Sequence, residues 1–154
     1  MTSSNVVFDS VVFLQALARR NGPAAACWKL VEERRYLHFI SEETMLELAD
    51  VFNRPALAKK LGFRKETASD FLLLIRGCSI FIPCIPSVFP YARDPKDERF
   101  VDLALHVQAS YLVTWDKDLL GLMIPGSVDG ERLELLSPHL TILTPPDLLR
   151  VQPA

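Results

Sequence analysis

The stretch VVFDSVVFLQALA, residues 6–18, decides how this chain folds. Val6, Val7 and Phe8 form a short apolar run ending at Asp9, and they predict a buried first strand. Residues 11–18 are nearly all apolar and predict a deeply buried helix immediately after it. Asp9 sits at the turn between the two, where a carboxylate without a partner is costly. It is therefore either the cap of the helix beginning near residue 11, a role Ser10 could also fill, or a site residue at the strand tip.

Reading outward, Asn21-Gly22-Pro23 breaks the first helix and Pro23 opens a second, through about residue 35. Leu37–Ile40 reads as a second strand, and Ser41 caps a helix with Glu42 and Glu43 in its first turn. Pro55 interrupts that helix; a polar amphipathic helix follows around 64–76, then a third strand at Ser79–Ile82. Pro83, Pro86, Pro90 and Pro95 mark an extended segment leading into a helix from Pro95 to about Ala109. Tyr111–Thr114 reads as a fourth strand, Pro125–Glu131 as a turn-rich connector, Thr141–Leu143 as an edge strand, and Pro145 as the start of a short helix. Strands alternating with helices predict a parallel sheet covered on both faces. Ligands of such sheets bind beyond the carboxyl ends of the strands, where Asp9 and Asp116 fall.

Bulk properties narrow the function. With 49% hydrophobic and 23% charged residues and a net charge of −2, the chain has the composition of a soluble globular protein. That net charge does not advertise nucleic-acid binding, so any such activity rests on a local patch. No apolar run approaches the ~18 residues of a membrane span. Met1–Asn5 lacks the basic and apolar regions of a signal peptide, and Cys27, Cys78 and Cys84 have no metal-ligand spacing. Reduced thiols in a cytoplasmic protein follow. Without repeats, low-complexity tracts or linkers, residues 1–154 read as one domain.

Four acids stand at strand ends or helix starts: Asp9, Glu47, Asp97 and Asp116. At ~100° per residue, Glu47 lies about 40° beyond the Met45, Leu48, Val51 and Phe52 stripe, which suits a site residue or an ordinary boundary glutamate equally. Asp97 falls within about 20° of Ala104 in the inward stripe of its helix, while Glu98 and Asp102 point the other way. It could also simply complement the helix dipole. Asp94 followed by Pro95 reads as an N-cap and first helical residue, a structural role. Asp116 ends the fourth strand, with Asp118 a second candidate; either could cap the next turn. Acids gathered in one crevice repel one another unless a divalent cation intervenes, and Mg²⁺ and Mn²⁺ prefer such oxygen ligands. The constellation points to metal-dependent phosphoryl chemistry.

At this point the chain resembles the PIN-domain family, and within it the toxin components of type II toxin–antitoxin pairs. The resemblance is carried by Val7-Phe8-Asp9-Ser10, by Ser41 through Glu47-Leu48, and by Val51-Phe52-Asn53-Arg54-Pro55. It continues in Arg93-Asp94-Pro95-Lys96-Asp97 with Phe100 and Ala104, in Leu112 through Leu120, and in Leu143 through Leu149. It implies a three-layer α/β/α sandwich with a central, mainly parallel sheet, and Mg²⁺- or Mn²⁺-dependent ribonuclease activity. It further implies that Asp9, Glu47, Asp97 and Asp116 coordinate the metal, supported by the hydroxyls of Ser10 and Thr114. A homodimer and a small antitoxin partner are likewise implied. Two positions depart from the pattern. Val11 stands where the family usually has asparagine, removing an amide that could orient the acids, and Trp115 replaces a smaller or polar residue. Trp115 either fills space or stacks on an unpaired base.

Substrate contact has its own candidates. Arg54, Lys59, Lys60, Arg64 and Lys65 lie together with no acid before Glu66, and could track a phosphate backbone or form a solvated helix face. Arg19, Arg20, Arg34 and Arg35 could extend the patch. The leading expectation is an endoribonuclease hydrolysing RNA phosphodiester bonds. The alternative, motivated by Val11, is a catalytically weak PIN scaffold that binds RNA or a protein partner. An aspartyl-phosphate phosphatase is disfavoured, because it needs a second acid at position 11.

Overall fold

The computed structural model describes residues 4–151. Strands β1 (Ser4–Phe8), β2 (Tyr36–Ser41), β3 (Ser79–Ile82), β4 (Tyr111–Val113) and β5 (Thr141–Leu143) form one parallel sheet in the order β3-β2-β1-β4-β5. Helices α1 (Ser10–Ala18), α2 (Pro23–Glu32), α3 (Glu42–Phe52), α4 (Pro55–Leu61) and α5 (Lys65–Cys78) precede or join the first three strands. After β3 come α6 (Glu98–His106), α7 (Lys117–Leu120), α8 (Val128–Leu136) and α9 (Pro145–Arg150). The result is a PIN-like α/β/α sandwich with helices on both faces of the sheet.

Alternation along β1 builds both layers. Val6 and Phe8 enter one core with Phe13, Trp28, Leu48, Ile75 and Leu148, whereas Val7 enters the other with Phe100, Leu103, Leu119 and Leu133. In the first layer, Phe8, Phe13, Trp28 and His38 pack as an aromatic cluster with ring centroids 5.2–6.4 Å apart. His38 Nε2 accepts the Phe8 amide at 3.3 Å, and Nδ1 lies 2.7 Å from the Ser79 hydroxyl. Burial lowers its pKa to about 3, so the ring is neutral and serves the sheet.

Topology locates the functional end. From β1 the chain winds outward through β2 to β3, then returns across the sheet to β4 on the other side of β1. The β1/β4 boundary, where Phe8 pairs with Val113, is the switch point at which open parallel sheets bind ligands. Asp9 follows Phe8 directly, and Asp116 follows β4 by three residues.

Three elements differ from the sequence reading. Pro55 stops α3 but also occupies the first turn of α4, so the interruption is a junction between helices. The expected connector at Pro125–Glu131 contains the first turn of α8, capped by Ser127, whose hydroxyl accepts from the Gly130 amide at 2.8 Å. A Cβ at Gly130 would collide with the Leu122 carbonyl oxygen, so this turn of the helix takes glycine. The helix expected from Pro95 begins instead as a 3₁₀ turn over Pro95–Asp97.

Candidate functional site

Asp9 both caps and faces the crevice. Its Oδ1 accepts the Val12 amide at 3.1 Å, and its Oδ2 accepts the Thr114 hydroxyl. It is only 4% exposed. Desolvation pushes its pKa up to about 6, against the Thr114 and Val12 hydrogen bonds, with Asp116 adding to the rise. Thr114, fully buried, also accepts the Asp116 amide at 2.9 Å, so one hydroxyl ties the end of β1 to the residue that opens α7.

Asp116 caps α7 through Oδ1, which accepts from Asp118 N at 2.7 Å and Leu119 N at 3.3 Å. Asp97 closes the 3₁₀ turn and opens α6, with no side-chain cap bond of its own. Asp94, Asp97 and Asp116 each offer a carboxylate oxygen within 4.8 Å of the other two. Desolvation first, then the neighbouring Asp94 and Asp116 carboxylates, hold the Asp97 pKa far above the ordinary range, so the metal-free protein keeps a proton there.

Asp94, which reads from the sequence as a structural N-cap, also lies in the acidic group. It precedes Pro95 as a cap would, but its side chain makes no cap hydrogen bond and joins the acidic group instead. The signal was the Asp-Pro-Lys-Asp spacing: on a 3₁₀ turn, residues three apart eclipse, which stacks Asp94 over Asp97.

Glu47 stands on the opposite wall, where the Ser10 hydroxyl donates to its Oε2 at 3.4 Å. Desolvation raises its pKa, opposed by Arg99, the Ser10 bond, Arg54 and Lys96. The crevice, about 270 Å³, brings together Asp9, Ser10, Glu47, Asp97 and Asp116 with the exposed Val11, so all four expected acids share one cavity. They are not one tight cluster. Asp9 has both oxygens occupied and Glu47 lies across the cavity, while Asp94 completes the close group.

The other expected residues divide. Arg54 lines the crevice and pairs with Asp50 at 2.8 Å. Lys59, Lys60, Arg64 and Lys65 are exposed on or beside α4 and α5 and do not line it. Asp118 turns to Arg93, 3.5 Å away, and Trp115 is 36% exposed outside the crevice lining. Glu98 and Asp102, expected to point away from the inward stripe, accept backbone amides: Tyr91 N on Glu98 at 2.7 Å, and Val88 N and Phe89 N on Asp102 at 3.0 and 2.9 Å. The proline-rich segment crosses that side of α6, and its few amides need acceptors.

The donor set fits a hard divalent cation. Three carboxylate oxygens within 4.8 Å of one another are the hard ligands that Mg²⁺ and Mn²⁺ prefer. Among the described residues no histidine or cysteine joins the group, and a cation there would compete with the proton that the raised Asp97 pKa favours.

Comparison with known proteins agrees with this geometry. An uncharacterized protein of Methanocaldococcus jannaschii is 27% identical over 145 residues, spanning 94% of this chain and 88% of that protein. No solved structure matches significantly. A family model described as PIN domain matches residues 5–118, which run from β1 through the fourth acid to the start of α7. On that match, the chain belongs to the PIN domain family.

Proposed function

We propose that this protein is a Mg²⁺- or Mn²⁺-dependent endoribonuclease, acting as the toxin of a toxin–antitoxin pair and working as a cytoplasmic homodimer neutralised by a small antitoxin protein. PIN domains are generally nucleases that use divalent metals, and the observation that carries the reading here is the convergence of Asp94, Asp97 and Asp116 beside buried Asp9. Those four carboxylates, with Glu47 across the crevice, would hold the cation. When bound, it supplies a water of lowered pKa and neutralises charge at the scissile phosphate.

The chain's own residues do the rest. Thr114 fixes the spacing of Asp9 and Asp116 by bonding to both. Ser10 orients Glu47 by donating to its Oε2, which holds the carboxylate toward the crevice. Among the described residues no helix is long and apolar enough to cross a membrane.

Cleavage of a mixed single-stranded RNA pool with Mn²⁺ or Mg²⁺, beside EDTA and Asp97→Asn controls, tests the reading. Cleavage abolished by both controls supports it. Val11 in the crevice wall favours the second reading, a scaffold that binds without turnover. Folded protein that binds RNA but never cleaves it would decide for that one.

A further inference from the structure

Two cations beside the acidic crevice are uncommitted. Lys96 belongs to the 3₁₀ turn and lines the crevice; Arg99 lies one turn further along, in α6. Among the described residues neither has a carboxylate within ion-pair distance, whereas Arg54, Arg93, Arg132 and Arg150 each do. The Arg99 Nε donates to the Lys96 carbonyl at 3.0 Å, which ties the two residues together. Arg54 and Lys96 line the crevice, and Arg99 directly precedes Phe100, which lines it as well.

Arg99 also lines a second cavity, about 330 Å³, that adjoins the crevice and contains no other cation. The two cavities have no lining residue in common, but the same two elements contribute to each. On α3, Glu43 lines the second cavity and Glu47, one turn on, lines the crevice. On the facing turn, Pro95 and Arg99 line the second cavity, while Lys96, Asp97 and Phe100 line the crevice. Arg99, beside Phe100 and three residues from Lys96, therefore stands between the two cavities. Of the acids lining the second cavity, Glu98 and Asp102 already accept backbone amides, and Arg99 is the cation that a polyanion would meet there.

We propose that Arg99, seconded by Lys96, grips the phosphate next to the scissile one and steers the RNA strand from the acidic crevice into the adjoining cavity between α3 and residues 83–87. This rests on the ribonuclease reading and extends it, because it names the strand's path and its anchor. A guanidinium suits this role, because its planar fork can hold two phosphate oxygens at once and it stays charged at every working pH. The cations of α4 and α5, outside both cavities, are not needed for it.

The test pairs binding with cleavage. Binding of a labelled single-stranded RNA is followed by fluorescence anisotropy from 50 to 300 mM salt in the Asp97→Asn background, alone and with Arg99→Ala, Lys96→Ala, Arg99→Lys or Arg150→Ala. Cleavage kinetics of the same substitutions are measured on the otherwise wild-type chain. Arg99→Ala should weaken binding about tenfold and flatten the log–log salt slope by roughly 0.7, the loss of one single-strand phosphate contact. KM should rise more than kcat falls. Arg99→Lys should restore the slope, and Arg150→Ala, on the distant α9, should leave it unchanged.

Unchanged affinity and slope in Arg99→Ala would overturn the grip, even if the pH profile moved through Glu47. A flattened slope without cleavage by the wild-type chain would uphold the grip and sink the nuclease reading. Absence of any RNA binding would overturn both.

Discussion

Asp9 carries a cost that only a ligand relieves. Its folded pKa, about 6, lies above the ordinary carboxylate value, so the stability it contributes is fully present below about pH 4 and is lost as pH rises through 6. For a side chain this buried the loss amounts to about 3 kcal/mol. Asp9→Asn should therefore stabilise the metal-free protein by 1–3 kcal/mol at pH 8, on the order of that loss, and by almost nothing at pH 4. Thermal melts in EDTA at the two pH values check this; equal effects at both would show that the Asp9 carboxylate is not strained by burial. Asp94→Asn makes a complementary case. Because Asp94 makes no cap bond, the substitution should leave the melting temperature unchanged while weakening Mn²⁺ binding about tenfold in calorimetry. At this scale the sequence was legible where a residue's position on an element is dictated by periodicity, as for Asp97. It was less legible where a residue has two uses: Asp94 does occupy the N-cap position before Pro95, but its side chain makes no cap bond and lies with Asp97 and Asp116.

Between β3 and α6, the chain runs from Pro83 to Asp94 without a helix or strand, yet this segment delivers Asp94 to the crevice. Phe89 and Tyr91 anchor it in the second core, the Tyr91 hydroxyl donates to the Asp118 carbonyl at 2.7 Å, and Asp102 accepts two of its amides. Asp102→Ala should cost about 2–3 kcal/mol, the loss of two charge-assisted bonds from buried amides. Hydrogen exchange should then quicken at Val88 and Phe89, and metal affinity should fall although Asp102 touches no metal candidate. A stability loss with unchanged exchange there would refute the coupling. Gly130 is the second element-level case. Alanine is the better helix former, but at this position its methyl group meets the Leu122 carbonyl, so Gly130→Ala should destabilise by about 1–3 kcal/mol in urea titration. The five strands were readable because each is a short apolar run bounded by turn residues. The start of α8 and the seating of residues 83–94 were not, because close backbone approach and amide satisfaction are tertiary facts that local pattern does not encode.

Across the whole molecule, the charge arrangement separates a nuclease from a scaffold. A fold that gathers Asp9, Asp94, Asp97 and Asp116 at its switch point, with two of them holding raised pKa values, is least stable when those groups ionise unaccompanied. A cation that binds the folded state should reverse this, by about 2.7 kcal/mol at a hundred times its dissociation constant. For a chain of this size that is a rise on the order of 5–10 °C in melting temperature. The sign with pH follows from proton competition. At pH 5.5 Asp97, and much of Asp9, still holds its proton, so the cation must displace both and the gain shrinks; at pH 8 Asp9 is already ionised and the gain is larger. Differential scanning fluorimetry with Mn²⁺, Mg²⁺ and EDTA at the two pH values reads both effects at once. A rise that grows with pH and collapses in Asp97→Asn ties the cation to this crevice. No rise at either pH would mean that the fold tolerates its crowded acids by protonation alone, which is how a PIN scaffold without catalysis would behave.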